Sequence, residues 1–280
     1  MKKIELIANK TDRVLKILEK QCQTINYSAF VSALRKKDIL VNGDRIKENI
    51  TILVGSKVTC YVSDNAVKKD LFSIVYEDDN VIFANKNKGI ETSDGEYNVV
   101  DELMKKNKHV FAVHRLDRNT LGLVVFAKSI EVQKELISEF KKGNVEKLYY
   151  AEVYGAPQDN HKILKGYHVK NKEESNVKIF ANKVPNSVEI TTEYSVIKSS
   201  GNTSLLSVKI KEGKTHQIRA HLAYNKLYII GDGKYGKNEI NDKFKSKTQH
   251  LKAYKINFKI SASSKLNYLN NLNIELDNLF

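Results

Sequence analysis

From residue 74 onward the chain is a succession of short extended runs with few helical ones between them, and that pattern restricts the folds open to it. IVYEDDNVIFANK alternates like a hairpin, with Asp78, Asp79 and Asn80 at the bend. HVFAVHRLD, LGLVVFAKS, KLYYAEVYG, VEITTEYSVI, TSLLSVKI and YKINFKI are further β-like stretches. Helical periodicity is clear at 131–140 (EVQKELISEF), with a second candidate at 215–223. Strands that outnumber helices and seldom alternate with them predict an α+β domain built on a mixed, mainly antiparallel sheet. The lysine- and asparagine-rich patches at 168–183 and 237–248 read as surface loops.

A different piece precedes this one. Residues 1–62 hold 12 Lys+Arg against 6 Asp+Glu, nearly half of the chain's net charge of +14. Thr11 is the expected N-cap of a helix that carries Val14, Leu15 and Leu18 on one face. A second helix is expected from Tyr27 to Lys37, burying Phe30, Val31 and Leu34 and ending in Arg35, Lys36 and Lys37. ILVNGDRI and ILVGSKVTCYV follow as extended stretches, with Asn42-Gly43 as a tight turn. Two helices and a small sheet that present Arg35, Lys36, Lys37 and Arg45 suit a phosphate backbone; a solvated charged face is the alternative. The polar stretch 63–73 reads as a linker, so the expected division is 1–62, a linker at 63–73, and 74–280.

Charge and motif chemistry remove several function classes. A cation of this size partners a polyanion, either nucleic acid or an anionic membrane face. Cys22 and Cys60 form no CxxC pair, which excludes a zinc ribbon and a disulfide scaffold. No apolar run approaches the ~18 residues of a membrane span. The N-terminus has no signal-peptide pattern, so a cytoplasmic monomer is expected. GDGKYG at 231–236 matches G-x-G-x-x-G, but KNEINDKFKSK after it has no apolar face and no acidic residue stands at the ribose-reading distance. GKT at 213–215 has Val208 where a P-loop needs its first glycine. His216 and His221 are five apart with no third ligand nearby, which favours hydrogen bonding or packing over metal. Neither a cofactor nor a metal is expected.

Two segments carry candidate chemistry. In HRLDRNTLGLVVFAKS, Asp117 lies between two β-like runs and is flanked by Arg115 and Arg118. A carboxylate beside guanidinium groups stays ionised, as a nucleophile must, and a surface turn with an ordinary ion pair is the competing reading. In EGKTHQIRAHLAY, Arg219 stands between Ile218 and Ala220 in a helix-like stretch. An arginine so placed either has a buried anionic partner or snorkels to solvent.

Read together, HRLDRNTLGLVVFAKS and GKTHQIRAHLAY…GDGKYG resemble the two signature regions of the RluA family of pseudouridine synthases. KLYYAEVYG resembles the motif between them, and YEDDNVIFANKNKGIETS the opening one, so the likeness runs over about residues 71–260. Residues 11–62, above all SALRKKDILVNG, resemble the ribosomal-protein-S-four-type RNA-binding module. The resemblance implies a catalytic domain with a central cleft that isomerises uridine in RNA. Large-subunit ribosomal RNA is the expected substrate, with transfer RNA as the alternative. It puts Asp117 at the catalytic aspartate, Arg219 at the arginine that pairs with it, and Tyr149 at the tyrosine that stacks on uracil. His114, Arg115 and Ile218 fall among substrate-binding positions, Arg115 helping to displace the nucleotide and Ile218 packing the ring's other face. Asn87, Leu121 and Lys252 depart from the family pattern, away from the reaction centre. Two other classes compete: a non-catalytic RNA-binding or ribosome-assembly protein, and a nucleotide-cofactor enzyme.

Overall fold

The computed structural model describes residues 1–22, 25–66, 71–95, 98–106, 108–171, 176–210, 212–277 and 279–280. The chain forms two compact units, Met1–Asp70 and Leu71–Phe280. The expected linker at 63–73 is therefore divided between them. Ala66 is buried in the core of the first unit, and a strand of the second begins at Phe72. Positions 67–70 of that stretch lie outside the described residues.

In the first unit, helices Val14–Gln21 and Tyr27–Arg35 pack with a sheet ordered Lys2–Ile7, Lys57–Val62, Ile39–Val41, Asp44–Arg45. Val14, Ile17, Leu18, Phe30, Ile39, Val58 and Cys60 make its core. Thr11 does not cap the first helix. That helix starts at Val14 with Arg13 at the cap and no side-chain bond, and the Thr11 hydroxyl instead accepts the Val54 N–H at 3.2 Å. The second helix ends at Arg35, so Lys36 and Lys37 lie past it, Lys37 with φ +60°. Ala33, not Val31, joins Phe30 and Leu34 on its buried face. Asn42 and Gly43 have φ of +52° and +97°, the two positive values that a two-residue hairpin turn requires.

The second unit is built on a mixed sheet. Its order is Val177–Phe180, His161–Lys170, Val188–Ser200, Thr203–Ile210, Val145–Tyr154, Leu251–Phe258, Leu121–Ala127, Val81–Lys86, Phe72–Glu77. Each neighbouring pair runs antiparallel except Leu121–Ala127 beside Leu251–Phe258, which is parallel. Both faces are covered: Val124 and Phe126 point into one core, and Leu123, Val125 and Ala127 into another. Helix Ile130–Lys142 covers the second face. It begins where the Ser129 hydroxyl accepts the Val132 N–H and ends at Gly143 in the left-handed conformation.

Three sequence expectations fail here. The patch 168–183 is not a loop in its described part, because His161–Lys170 and Val177–Phe180 pair at the sheet's edge; positions 172–175 lie outside the described residues. Edge strands present a polar side to water, which hides them from a hydrophobicity reading. The patch 237–248 likewise contains a short helix, Asn238–Lys243. HVFAVHRLD is strand only at Phe111–Ala112, since the His114 ring nitrogen Nε2 takes the Val125 N–H at 3.1 Å where a longer strand would offer a carbonyl.

Candidate active site

Asp117 lies on the loop that leads into Leu121–Ala127, and that loop is clamped on both sides. The Thr92 hydroxyl accepts the Leu116 N–H at 3.1 Å. The fully buried Lys86 ammonium donates to the carbonyls of Asn87, Ile90 and Arg118 at 3.1, 2.7 and 3.1 Å. The Thr120 N–H closes the turn onto the Asp117 carbonyl at 2.9 Å. A carboxylate held on so short a tether has little freedom to leave its neighbours.

Its main neighbour comes from the helix Gln217–Tyr224. Arg219 Nη1 donates to Asp117 Oδ2 at 2.9 Å across 102 positions of sequence. Nε and Nη2 of the same guanidinium grip Asp232 at 2.7 and 2.8 Å. Asp232 is 1% exposed and also accepts the N–H groups of Lys234 and Tyr235. Burial alone would raise its carboxyl, but the Arg219 bond and charge outweigh that and hold it below the usual range. Burial likewise disfavours the Arg219 charge, and the two aspartates more than restore it. The Tyr235 ring lies 5.2 Å from Arg219 Cζ and covers the guanidinium.

His216 completes the cluster. It enters the helix with φ +53°, shares a hydrogen bond of 2.8 Å between Nδ1 and the Tyr235 hydroxyl, and brings Nε2 to 3.9 Å from Asp117. Burial lowers its titration against the pull of Asp117, so the ring is neutral at pH 7. His221 points away into the protein and hydrogen-bonds Thr192 at 3.0 Å.

These groups border a cavity of about 550 Å³ lined by Asp117, Arg219, His114, Tyr149, Ile218 and Lys147, among others. Asp117 retains 25% side-chain exposure there. Tyr149 and Ile218 are each 5% exposed. Burial, and then the Asp117 charge, push the Tyr149 phenol above its ordinary value, so it remains protonated. Burial and the nearby Lys147 charge push His114 down to about 3, and its ring packs on Phe140 at 5.0 Å. Arg115 borders the same space but is 64% exposed and pairs with Asp94 at 3.1 Å and Glu91 at 3.9 Å. Thus Asp117, Tyr149, Ile218, His114 and Arg219 meet at one opening, and Arg115 stands at its edge. Arg35, Lys36, Lys37 and Arg45 belong to the first unit, where Arg45 Nη1 donates to the Lys37 carbonyl at 3.3 Å.

The family described as RNA pseudouridylate synthase matches residues 80–224, the span that contains Asp117, Tyr149 and Arg219. The chain belongs to that family. A Mycoplasma capricolum protein described as an uncharacterized RNA pseudouridine synthase is 30% identical, over 95% of each chain. The ribosomal large subunit pseudouridine synthase C of Buchnera aphidicola subsp. Schizaphis graminum is 30% identical over 88% of this chain and 85% of its own. The fold matches that of human RNA pseudouridylate synthase domain containing 1, with a TM-score of 0.58 and 20% identity over 69% of this chain and 80% of that one. The protein is accordingly an isomerase that converts uridine in RNA to pseudouridine.

Four features of this synthase escaped the sequence reading. Asp232 sits inside GDGKYG, which draws attention as a glycine pattern and not as a carboxylate. The signal was present, since an acidic residue directly after the apolar run LYIIG calls for a buried cation. The pairing of His216 with Tyr235 and the clamp by Lys86 depend on contacts between distant segments, with no local pattern. Lys147 stands out in the sequence only as part of a β-like run.

Proposed function

We propose that the cavity receives a uridine swung out of large-subunit ribosomal RNA and that Asp117 acts on its ribose. The observation that carries this is the Asp117–Arg219–Asp232 chain. Asp232 neutralises and fixes the guanidinium, and the remaining Nη1 then holds Asp117 as an anion at the cavity wall. Unstacking the nucleotide costs a few kcal/mol, about the scale that ring contacts and phosphate contacts recover. Tyr149 and Ile218 bound the space from two elements and would flank the flipped ring, with the Tyr149 hydroxyl protonated. Arg115 at the rim would fill the gap left in the RNA. The C1′–N1 bond breaks with assistance from the Asp117 carboxylate, the base turns, and a C1′–C5 bond forms. The C5 proton is lost and N1 gains one, so no redox partner is needed.

Names of the curated relatives support a ribosomal substrate: synthase C from Buchnera aphidicola carries one, and so does the synthase D of Borreliella burgdorferi, 31% identical over 69% of this chain and 62% of its own. The two helices of the first unit and the cations Arg35, Lys36, Lys37 and Arg45 support an S-four-type module that grips RNA, in a chain proposed to act as a cytoplasmic monomer. The test is to map pseudouridine across all cellular RNA with and without the gene. The expected loss is at uridines of large-subunit ribosomal RNA, restored by the wild-type gene and not by Asp117→Asn. Losses confined to transfer RNA would defeat the substrate assignment, and full restoration by Asp117→Asn would defeat the role of Asp117.

A further inference from the structure

Among the described residues three lysines of the catalytic unit are buried, Lys86, Lys147 and Lys252, and the first two differ in how the protein treats them. Lys86 is fully buried and donates its three ammonium protons to three backbone carbonyls. Every donor is used, as a structural lysine requires. Lys147 is 7% exposed, yet its recorded hydrogen bond is one long contact of 3.5 Å to the Glu212 carbonyl. The Phe140 ring, 5.3 Å from Nζ, screens one side. Gly213 leaves room on another, since a Cβ there would come within 2.8 Å of the ammonium. An ammonium buried with donors to spare is costly to keep unless something else takes them.

Its position indicates what that is. Lys147 and Tyr149 are two apart on the strand Val145–Tyr154, whose inward residues alternate, so both side chains face the same cavity. Asp117, Tyr149 and Lys147 all line it. The Asp117 charge acts on Tyr149, and that of Lys147 acts on His114, which lines the same cavity. A uridine held by Asp117 at C1′ and by Tyr149 at its ring shares this cavity with Lys147, and its edge opposite N1 is the part that neither of those two engages. That edge carries the O4 carbonyl, an acceptor; cytosine has an amino donor at the same place.

We propose that Lys147 is the specificity residue of the cavity, donating to the O4 carbonyl of the flipped uracil and rejecting cytosine by opposing its amino group with a cation. The inference rests on the pseudouridine-forming role of this cavity. Burial, against the charge of Glu212, brings the ammonium down to about 8, so it stays protonated at neutral pH. Repulsion of a wrong base is as much a part of such selectivity as attraction of the right one.

The test uses uridine and cytidine 5′-monophosphate, which share ribose and phosphate and differ at the base edge. Binding to the full chain is followed by NMR titration. The wild type should favour the uridine nucleotide by about 10-fold, the scale of one charged hydrogen bond. Lys147→Met should bring the ratio near one and Lys147→Arg should keep it. A Lys147→Met variant that retains the preference overturns the proposal. So does a wild type that binds both alike, or a variant that weakens both equally, which would mark a phosphate contact. Thermal unfolding provides the control, because Met in place of an under-bonded buried lysine should leave the midpoint level or raise it. A separate turnover assay on RNA from cells lacking the gene distinguishes the two readings. Absence of pseudouridine formation by the wild type there would count against the function of the cavity, whereas the nucleotide ratio addresses Lys147 alone.

Discussion

Arg219 meets Asp117 through a single guanidinium nitrogen, Nη1 at 2.9 Å, and commits the other two to Asp232. The two carboxylates therefore have different tasks. Asp232 is sealed at 1% exposure and bonded on both oxygens, while Asp117 keeps a quarter of its side chain open to the cavity. A one-sided hold leaves the second Asp117 oxygen available to a substrate. It also keeps the anion in place before the substrate arrives, so little reorganisation is needed at reaction.

That asymmetry predicts opposite phenotypes for two similar substitutions. Asp232→Asn leaves a buried guanidinium without its main counter-charge, a change that typically costs about 3–5 kcal/mol. Asp117→Asn keeps the Asp232 pair and removes a partly solvated one, so about 1 kcal/mol or less is expected, with pseudouridine formation abolished and RNA still bound. Urea unfolding and RNA binding measured on both variants check this. Equal stability losses in the two would show that the carboxylates are not divided in this way.

Much of the site was legible before the fold. The order of HRLD, KLYY and HQIRAH singles out Asp117, Tyr149, Ile218 and Arg219, which the fold brings to one cavity, because each sits in a short motif whose identity is local. Strand and hairpin positions were legible for a related reason: the bend at Asp78–Asn80 is fixed by the Asp78 carboxylate accepting the N–H groups of Asn80 and Val81. Illegible features were those in which one segment substitutes for another. The His114 ring replaces a ladder carbonyl and truncates a strand, and Asp232 answers a charge 13 positions away on a helix. The edge strand Val177–Phe180 was missed because only alternate residues are buried. In each case the deciding energy belongs to a tertiary contact, beyond the reach of propensity or periodicity.

His114 makes the fold sensitive to acid. Its folded-state titration is near 3 against an ordinary imidazole value of 6.5, so between those values the unfolded chain binds a proton that the folded one refuses. Its contribution to stability is therefore intact above about 6.5 and declines as the pH falls toward 3. His221, pushed down to about 4 by burial, acts in the same direction. His114→Gln keeps an acceptor for the Val125 N–H without titrating, and should reduce the slope of urea stability against pH between 7 and 5 while His221 maintains part of it. An unaltered slope would contradict the neutral state of the partly buried His114.

If the first unit grips phosphates, its cations should appear in the salt dependence of RNA binding. Replacing Arg35, Lys36, Lys37 and Arg45 with glutamine removes up to four counterion-releasing contacts. The log–log salt slope should then fall by up to about 3 to 4, taking about 0.7 to 0.9 per contact. Asp117→Asn, which carries no phosphate contact, should leave the slope as it is. A quadruple variant with wild-type slope and affinity would mean that these charges are only a solvated face.

Gly122 links the two halves of the site, and its replacement separates a local backbone effect from a catalytic one. Gly122 has φ +109° and pairs with Ala253 in the parallel seam, and Ala253 pairs on its other side with Tyr149. A Cβ at 122 would lie 2.0 Å from the Ala253 carbonyl oxygen and 2.7 Å from its carbon and nitrogen, all backbone atoms with no rotamer to yield. Gly122→Ala must therefore move one strand, and the adjustment displaces either the Asp117 loop or the strand against Tyr149. Gly201, with φ +57° and open space around its Cα, has the same kind of backbone restriction without the collision. Gly201→Ala should cost about 1 kcal/mol and leave turnover unchanged. Gly122→Ala should add an overpacking loss of about 1–3 kcal/mol, and its kcat should fall at temperatures where the chain is still folded, because Asp117 and Tyr149 no longer face one nucleotide. Matching kcat values for the two variants, measured well below both unfolding midpoints, would show that the seam does not set the geometry of the site.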